Sequence, residues 1–420
     1  MKLNKLIAIT VLSTTAFTIT AFASEGLTER EIEEGSLAGS VQVAADRYDA
    51  FDYNQDLVDQ WDEPIAAVGG SSWREMQRGM GVAGMDFDAY IRSEIGEFGI
   101  TSNSILVNYG GDLENEENAA YWESIGLKLE AHDIEDVNEM WRVADNAWVT
   151  LTPLSAYEDE NTDRKYPVLF VWHGNGNPIN LAEGYGFGEE AAAKEWIVVY
   201  PWASNDDNYL AEFDRIMDEL KANYPIDETR VYSTGFSKGG WVSQRLAIER
   251  PDVLAAVVSN GIPDRATEMP LMEGIDPLAI SSLEGKEAIP IAFYAGEFDY
   301  LWSMDHESEE EIQGVNSWLS VHGLTAEQSV EQSRNLRKFS DDPVEQQMGL
   351  KFDETETVHT EGVDYWFGRF FDENGVCTVQ YTECAGAIHW PTKYMSEIGM
   401  NFLDQFAKNP ETGLTEYTGE

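Results

Sequence analysis

From about residue 137 onward, apolar and polar positions alternate in blocks that read as strands and helices in turn. Trp148-Val149-Thr150-Leu151-Thr152 predicts an opening strand. Pro167-Val168-Leu169-Phe170-Val171-Trp172 is a nearly unbroken apolar run, the pattern of a strand buried on both faces. Trp196 to Tyr200, Arg230 to Thr234, Leu254 to Ser259, Pro290 to Ala295 and Val376 to Glu383 predict further strands. Between them, Tyr209 to Tyr224 has the period of an amphipathic helix and runs into Pro225. Lys238 to Glu249 is a second helix, stopped before Pro251. Glu309 to Val321 and Lys393 to Lys408 are two more. Strands alternating with helices of this length predict a mostly parallel sheet covered by helices on both faces.

Residues 24 to about 136 lack this rhythm. They are rich in acidic residues and glycine, with a helical pattern over Trp73 to Phe98 and a short strand pattern over Ser104 to Tyr109. They read as an N-terminal extension packing on a main domain that spans residues 137 to 420. The first 23 residues read as a signal peptide. Lys2 and Lys5 precede an apolar stretch from Leu6 to Ile19, and Ala21-Phe22-Ala23 is a small-residue cleavage site, which predicts a secreted chain beginning at Ser24. No later run approaches the roughly 18 apolar residues of a membrane span.

Charge narrows the partners. With 77 acidic against 27 basic residues, the net charge is −50. Such a surface repels polyanions, so nucleic acid and anionic membranes are excluded as partners. The two cysteines, Cys377 and Cys384, bracket an extended segment. Seven residues of strand span about 23 Å, against the roughly 7 Å between Cα atoms that a disulfide permits, so two free thiols are expected. Asp52 to Glu63 has the acidic spacing of a calcium loop, but Leu57 stands where such a loop turns on glycine, and an acidic loop is the simpler reading. No metal and no cofactor is implied.

Gly235-Phe236-Ser237-Lys238-Gly239 fits G-x-S-x-G. Chance alone yields roughly one such match per eight chains of this length, so the context decides. Here a predicted strand ends at Thr234 and a helix begins at Lys238. That context predicts a strained turn presenting a nucleophilic serine, with small residues on both sides for close backbone approach. A serine hydroxyl needs a base, which in this arrangement follows the acid in chain order. His389 lies between the last strand and the closing helix and is the candidate base. His306, His322 and His359 fall in the segment before it and read as surface residues. Asp299, in the loop leaving the strand Pro290 to Ala295, is the candidate acid, with Glu297 and Asp305 as alternatives. An oxyanion hole needs backbone N–H donors. Lys238 supplies one, and Asn175, in the His173-Gly174-Asn175-Gly176-Asn177 loop, supplies the other, with Gly174 as the alternative and His173 as a structural residue. Tyr300, Trp302 and Trp390 cluster at predicted strand exits, where open α/β sheets bind ligands, and are candidate substrate contacts. Trp172 and Trp202 read equally well as core.

The segment Arg230 to Gly240, followed by Pro251-Asp252 and Ala255-Ala256-Val257, resembles the secreted α/β hydrolases of the polyhydroxybutyrate depolymerase and feruloyl esterase group, as do the His173-Gly174 loop and His389-Trp390-Pro391. The resemblance covers roughly residues 140 to 405. It implies the α/β-hydrolase fold, a Ser237-His389-Asp299 triad, and cofactor-free hydrolysis of small-molecule or polymer-linked carboxylic esters. A serine peptidase on the same fold and a non-catalytic binding protein are the competing readings. Lys238 stands where the family commonly has a small residue, and the stretch from Asp299 to His389 is long. Residues 303 to 375 read as an insertion and a possible lid, irregular and acidic over 339 to 365. Shortening Asp341 to Thr360 is then expected to change substrate preference more than stability.

Overall fold

The computed structural model describes residues 116–133, 147–157, 163–174, 185–201, 208–262, 280, 283, 287–297, 299, 309–328, 342–360, 363–385, 387 and 394–419. The predicted elements at Trp73 to Phe98 and Ser104 to Tyr109, and the acidic loop from Asp52, lie outside them. The described helices are α1 (Glu116–Ser124), α2 (Phe187–Lys194), α3 (Tyr209–Asn223), α4 (Lys238–Glu249), α5 (Glu309–Val321), α6 (Pro343–Met348) and α7 (Met395–Leu403). The strands are β1 (Leu127–His132), β2 (Trp148–Pro153), β3 (Tyr166–Trp172), β4 (Ile197–Pro201), β5 (Ile226–Phe236), β6 (Ala256–Asn260), β7 (Ile291–Gly296), β8 (Glu327–Gln328), β9 (Leu350–Lys351), β10 (Glu354–Thr360), β11 (Val363–Phe371), β12 (Cys377–Cys384), β13 (Phe406–Lys408) and β14 (Thr415–Tyr417).

Ten strands form one sheet in the order β1-β2-β4-β3-β5-β6-β7-β12-β11-β10. The six central strands β4, β3, β5, β6, β7 and β12 are parallel, and an antiparallel pair closes each side. This is the α/β-hydrolase fold. Its centre is where the sequence is most apolar: every residue of β3, β4, β6 and β7 is buried. Alternate residues feed two cores. Leu169, Val171, Val198 and Val258 face α2 and α7 through Phe187, Ala191, Met395 and Leu403. Val168, Phe170, Val257 and Phe293 face α3, α4 and α5 through Phe213, Ile216, Val242, Leu246, Val315 and Trp318.

The edges differ from the sequence reading. Leu127–His132, inside the segment read as an extension, is an edge strand pairing antiparallel with β2. Its residues are mostly half-buried, so it lacks a long apolar signal. At the other edge, residues read as irregular form α6 and β10. Asp342 caps α6, its Oδ1 accepting from the N–H groups of Val344 and Glu345 at 2.8 and 3.1 Å, with Pro343 in the first turn. Strand β10, Glu-Thr-Glu-Thr-Val-His-Thr, is exposed along most of its length, so it carries no apolar alternation. Val344, Met348 and Leu350 are 1, 0 and 0% exposed. Shortening the segment would therefore also open the core. The closing helix is also shorter than predicted. It ends at Leu403, and Phe406 and Lys408 then enter the protein interior from strand β13.

Candidate active site

Strand β5 ends at Phe236, α4 begins at Lys238, and Ser237 alone makes the turn between them. Its φ is 56° and ψ −119°, a conformation that strains any residue with a Cβ. The flanking glycines are required by space. A Cβ on Gly235 would lie 2.5 Å from the carbonyl oxygen of Trp172 and 2.6 Å from the carbonyl carbon of Gly239. A Cβ on Gly239 would lie 2.0 Å from the same Trp172 oxygen. The motif is thus a three-way backbone contact between the ends of β5 and β3 and the first turn of α4. The Ser237 N–H donates to the carbonyl of Asn260 at 2.8 Å, and the Trp241 N–H donates to the Ser237 carbonyl at 3.1 Å. Ser237 itself is half-buried.

A buried hydroxyl chain braces the turn from below. Trp172 Nε1 donates to Ser233 Oγ at 3.1 Å, Ser233 Oγ meets Ser243 Oγ at 2.9 Å, and Ser243 donates to the Gly239 carbonyl at 3.2 Å. Trp172 is fully buried, which resolves its two readings in favour of core.

Asp299 follows β7 and is 3% exposed, its N–H donating to the Gly296 carbonyl at 3.0 Å. Strands β5, β6 and β7 are adjacent and parallel, so Ser237 and Asp299 leave the sheet at the same end. Glu297 leaves there too, its N–H bonded to the Cys384 carbonyl at 2.9 Å. Strand β12 runs parallel to β7 and ends at Cys384, five residues before His389. His389, Asn175, Tyr300, Trp302, Trp390, Trp202, Asp305 and His306 lie outside the described residues. Lys238 opens α4 directly after Ser237. The Gly174 N–H lies 3.3 Å from the Tyr185 hydroxyl, its hydrogen-bond acceptor. His173 is fully buried with Nδ1 2.8 Å from the Gly174 carbonyl, in keeping with a structural role. Asn260 is the residue the sequence reading passed over. Its signal was faint: one amide at the end of the apolar strand Ala-Val-Val-Ser-Asn.

His359 is exposed as expected and pairs with Asp364 at 2.7 Å. His322 is not a surface residue in the same sense, because its Nε2 is out of contact with solvent. Among the described residues, no three His, Cys, Asp or Glu side chains gather as a metal site, and no helix is long and apolar enough to cross a membrane.

No family model matches the chain. Curated relatives do. The chain is similar to feruloyl esterases and to a polyhydroxyalkanoate depolymerase. It is 29% identical over 118 residues to feruloyl esterase D of Neurospora crassa, covering 24% of this chain and 41% of that one. It is 28% identical over 123 residues to poly(3-hydroxyalkanoate) depolymerase C of Paucimonas lemoignei, covering 24% of this chain and 30% of the relative. The chain thus spans less than half the length of either relative. Among solved structures, the serine hydrolase FphF of Staphylococcus aureus aligns with a TM-score of 0.37 and 13% identity, over 46% of this chain and 86% of that one.

Proposed function

We propose that this protein hydrolyses carboxylic esters through an acyl-enzyme intermediate on Ser237. The observation that carries the reading is the backbone of Ser237, held at φ 56° between a buried strand and a helix N-terminus with both flanking glycines in forced contact. Strain of this kind persists where the surrounding structure over-determines it, and it clusters at functional sites. The relatives named for feruloyl ester and polyhydroxyalkanoate cleavage support the same chemistry.

In this reading His389 Nε2 takes the Ser237 proton as Oγ attacks the ester carbonyl. Asp299 holds the imidazole in the required tautomer and stabilises the imidazolium. The tetrahedral oxyanion is met by the N–H groups of Lys238 and Asn175. Collapse expels the alcohol, which takes the proton from His389. Water then repeats the sequence on the acyl-enzyme and releases the carboxylic acid, regenerating Ser237. Tyr300, Trp302 and Trp390 flank the acyl or alcohol group of a polysaccharide-linked or polyester-type substrate. The chain acts after export, extracellular or periplasmic, with cleavage beside Ala23.

The test is a substrate panel of short acyl, feruloyl, acetyl-sugar and peptide compounds against the wild type and Ser237→Ala, with a fluorophosphonate label followed by peptide mass mapping. Label on Ser237 with ester turnover lost in the variant supports the reading. Amide cleavage without ester cleavage would move it to a peptidase, and no label with no turnover would defeat it.

A further inference from the structure

The conformation of Ser237, φ 56° and ψ −119°, is strained and has to be held in place, and the residue best placed to hold it is on the neighbouring strand. Asn260 ends β6, opposite Phe236 in the parallel register, and is fully buried. Its carbonyl accepts the Ser237 N–H at 2.8 Å. Its side-chain Nδ2 donates to the Gly235 carbonyl at 3.0 Å and to Thr234 Oγ1 at 2.9 Å. One residue therefore grips the chain immediately before and immediately after Phe236, on both sides of the point where β5 stops being a strand.

Asn260 is itself fixed. The next residue, Gly261, has φ 62°, and its N–H donates to the Tyr294 carbonyl at 2.7 Å. A Cβ there would stand 2.7 Å from the Phe236 ring, so the turn after Asn260 and the residue before Ser237 are in contact. Ser259 Oγ donates to the Ile262 carbonyl at 2.8 Å and accepts from Gln244 Nε2 at 2.8 Å, closing the far side of that turn onto α4. Gly240 of α4 leaves no room for a Cβ, which would lie 2.7 Å from the Asn260 carbonyl oxygen.

The amide is also costly where it stands. Asn260 Oδ1 is buried with no hydrogen-bond partner, and an unmet buried acceptor is destabilising. A valine would continue the apolar run of β6 without that penalty. Such a penalty at an interior position calls for an explanation beyond packing, and the two donors aimed at Thr234 and Gly235 supply it.

We propose that Asn260 is a positioning residue that sets the orientation of Ser237 Oγ for attack. The inference rests on the reading of Ser237 as nucleophile. Misplacement of a reacting atom by about 1 Å costs on the order of 100-fold in rate. Asn260→Ala should therefore lower kcat about 10- to 100-fold while KM stays within threefold. The rate of Ser237 phosphonylation by a fluorophosphonate should fall by a similar factor. The pH midpoint of kcat/KM should stay in place, because the base is untouched. Thr234→Val, which removes one of the two acceptors while keeping the side-chain shape, should lower both rates less, about 2- to 10-fold, and it serves as the test if Asn260→Ala does not fold. Both rates within twofold of wild type in the folded Asn260→Ala, or in Thr234→Val if the alanine variant does not fold, would overturn the inference. So would a KM rise with kcat unchanged. Absence of label on Ser237 in the wild type would defeat the nucleophile reading instead, so the two failures are distinguishable.

Discussion

The carbonyl oxygen of Trp172 lies 2.0 Å from where a Cβ on Gly239 would stand. That single approach ties the end of β3 to the first turn of α4 and leaves Gly239 as the only residue type that fits. Neither partner can retreat cheaply: Trp172 is buried with its indole bonded to Ser233, and Gly239's own carbonyl accepts from Ser243. Gly239→Ala should therefore destabilise the fold by about 3 kcal/mol or more and remove activity with it. Urea unfolding of the purified variant measures the first, and ester turnover the second. A variant with a wild-type midpoint would show that the backbone contact is looser than this geometry.

Ser237 offers a case where activity and stability separate. Its φ of 56° and ψ of −119° strain serine and alanine equally, whereas glycine adopts positive φ freely. Ser237→Ala should lose on the order of 10⁶ in kcat with little change in melting temperature. Ser237→Gly should be as inactive and yet more stable than the alanine variant by about 1 kcal/mol, the relieved strain exceeding the added chain entropy. Thermal melts of the three proteins decide it. A glycine variant less stable than alanine would mean that the turn is not strained in solution.

What could be read from the sequence follows burial. Pro167 to Trp172 and Pro290 to Ala295 announce themselves because strands covered on both faces must be apolar throughout. Leu127–His132 and Glu354–Thr360 do not, because an edge strand needs only its ladder partner: Glu354 and Glu356 are occupied by Arg369 on β11, at 2.8 and 2.7 Å, rather than by a core. The same holds at the site. Gly235, Ser237 and Gly239 are legible because a strand-to-helix turn this tight admits few residue types. Asn260 is not, because its partners Thr234 and Gly235 lie 26 and 25 residues away, and only the parallel pairing of β5 with β6 brings them together.

The two cysteines sit at opposite ends of β12 as free thiols, in keeping with the distance along an extended segment. Burial pushes the Cys377 thiol up to about 12, and Cys384 is fully buried away from solvent and reagents. Ellman's reagent at pH 8 should find no fast-reacting thiol in the folded protein and two in guanidinium, and reductant should leave the melting temperature unchanged. A fast-reacting thiol in the native state would contradict the buried placement.

His322, at the end of α5, gives stability a pH dependence of defined sign. Burial lowers its pKa from 6.5 to about 4, outweighing the attraction of Asp372, and its Nε2 has no hydrogen-bond partner to share a proton with. Below about pH 6.5 the unfolded chain therefore takes up a proton that the folded chain refuses. The unfolded state binds more protons, and stability falls as pH falls. The contribution of neutral His322 is fully present above pH 6.5, is lost progressively on acidification, and the loss levels off near pH 4. Many carboxylates titrate in the same range in a chain of net charge −50, so the comparison has to be with His322→Gln, which keeps the size and removes the titration. The stability of the wild type relative to that variant should decline by about 2 kcal/mol between pH 7 and pH 5, read from urea midpoints at each pH. A difference independent of pH would mean that His322 is protonated as readily in the folded protein as in the unfolded chain.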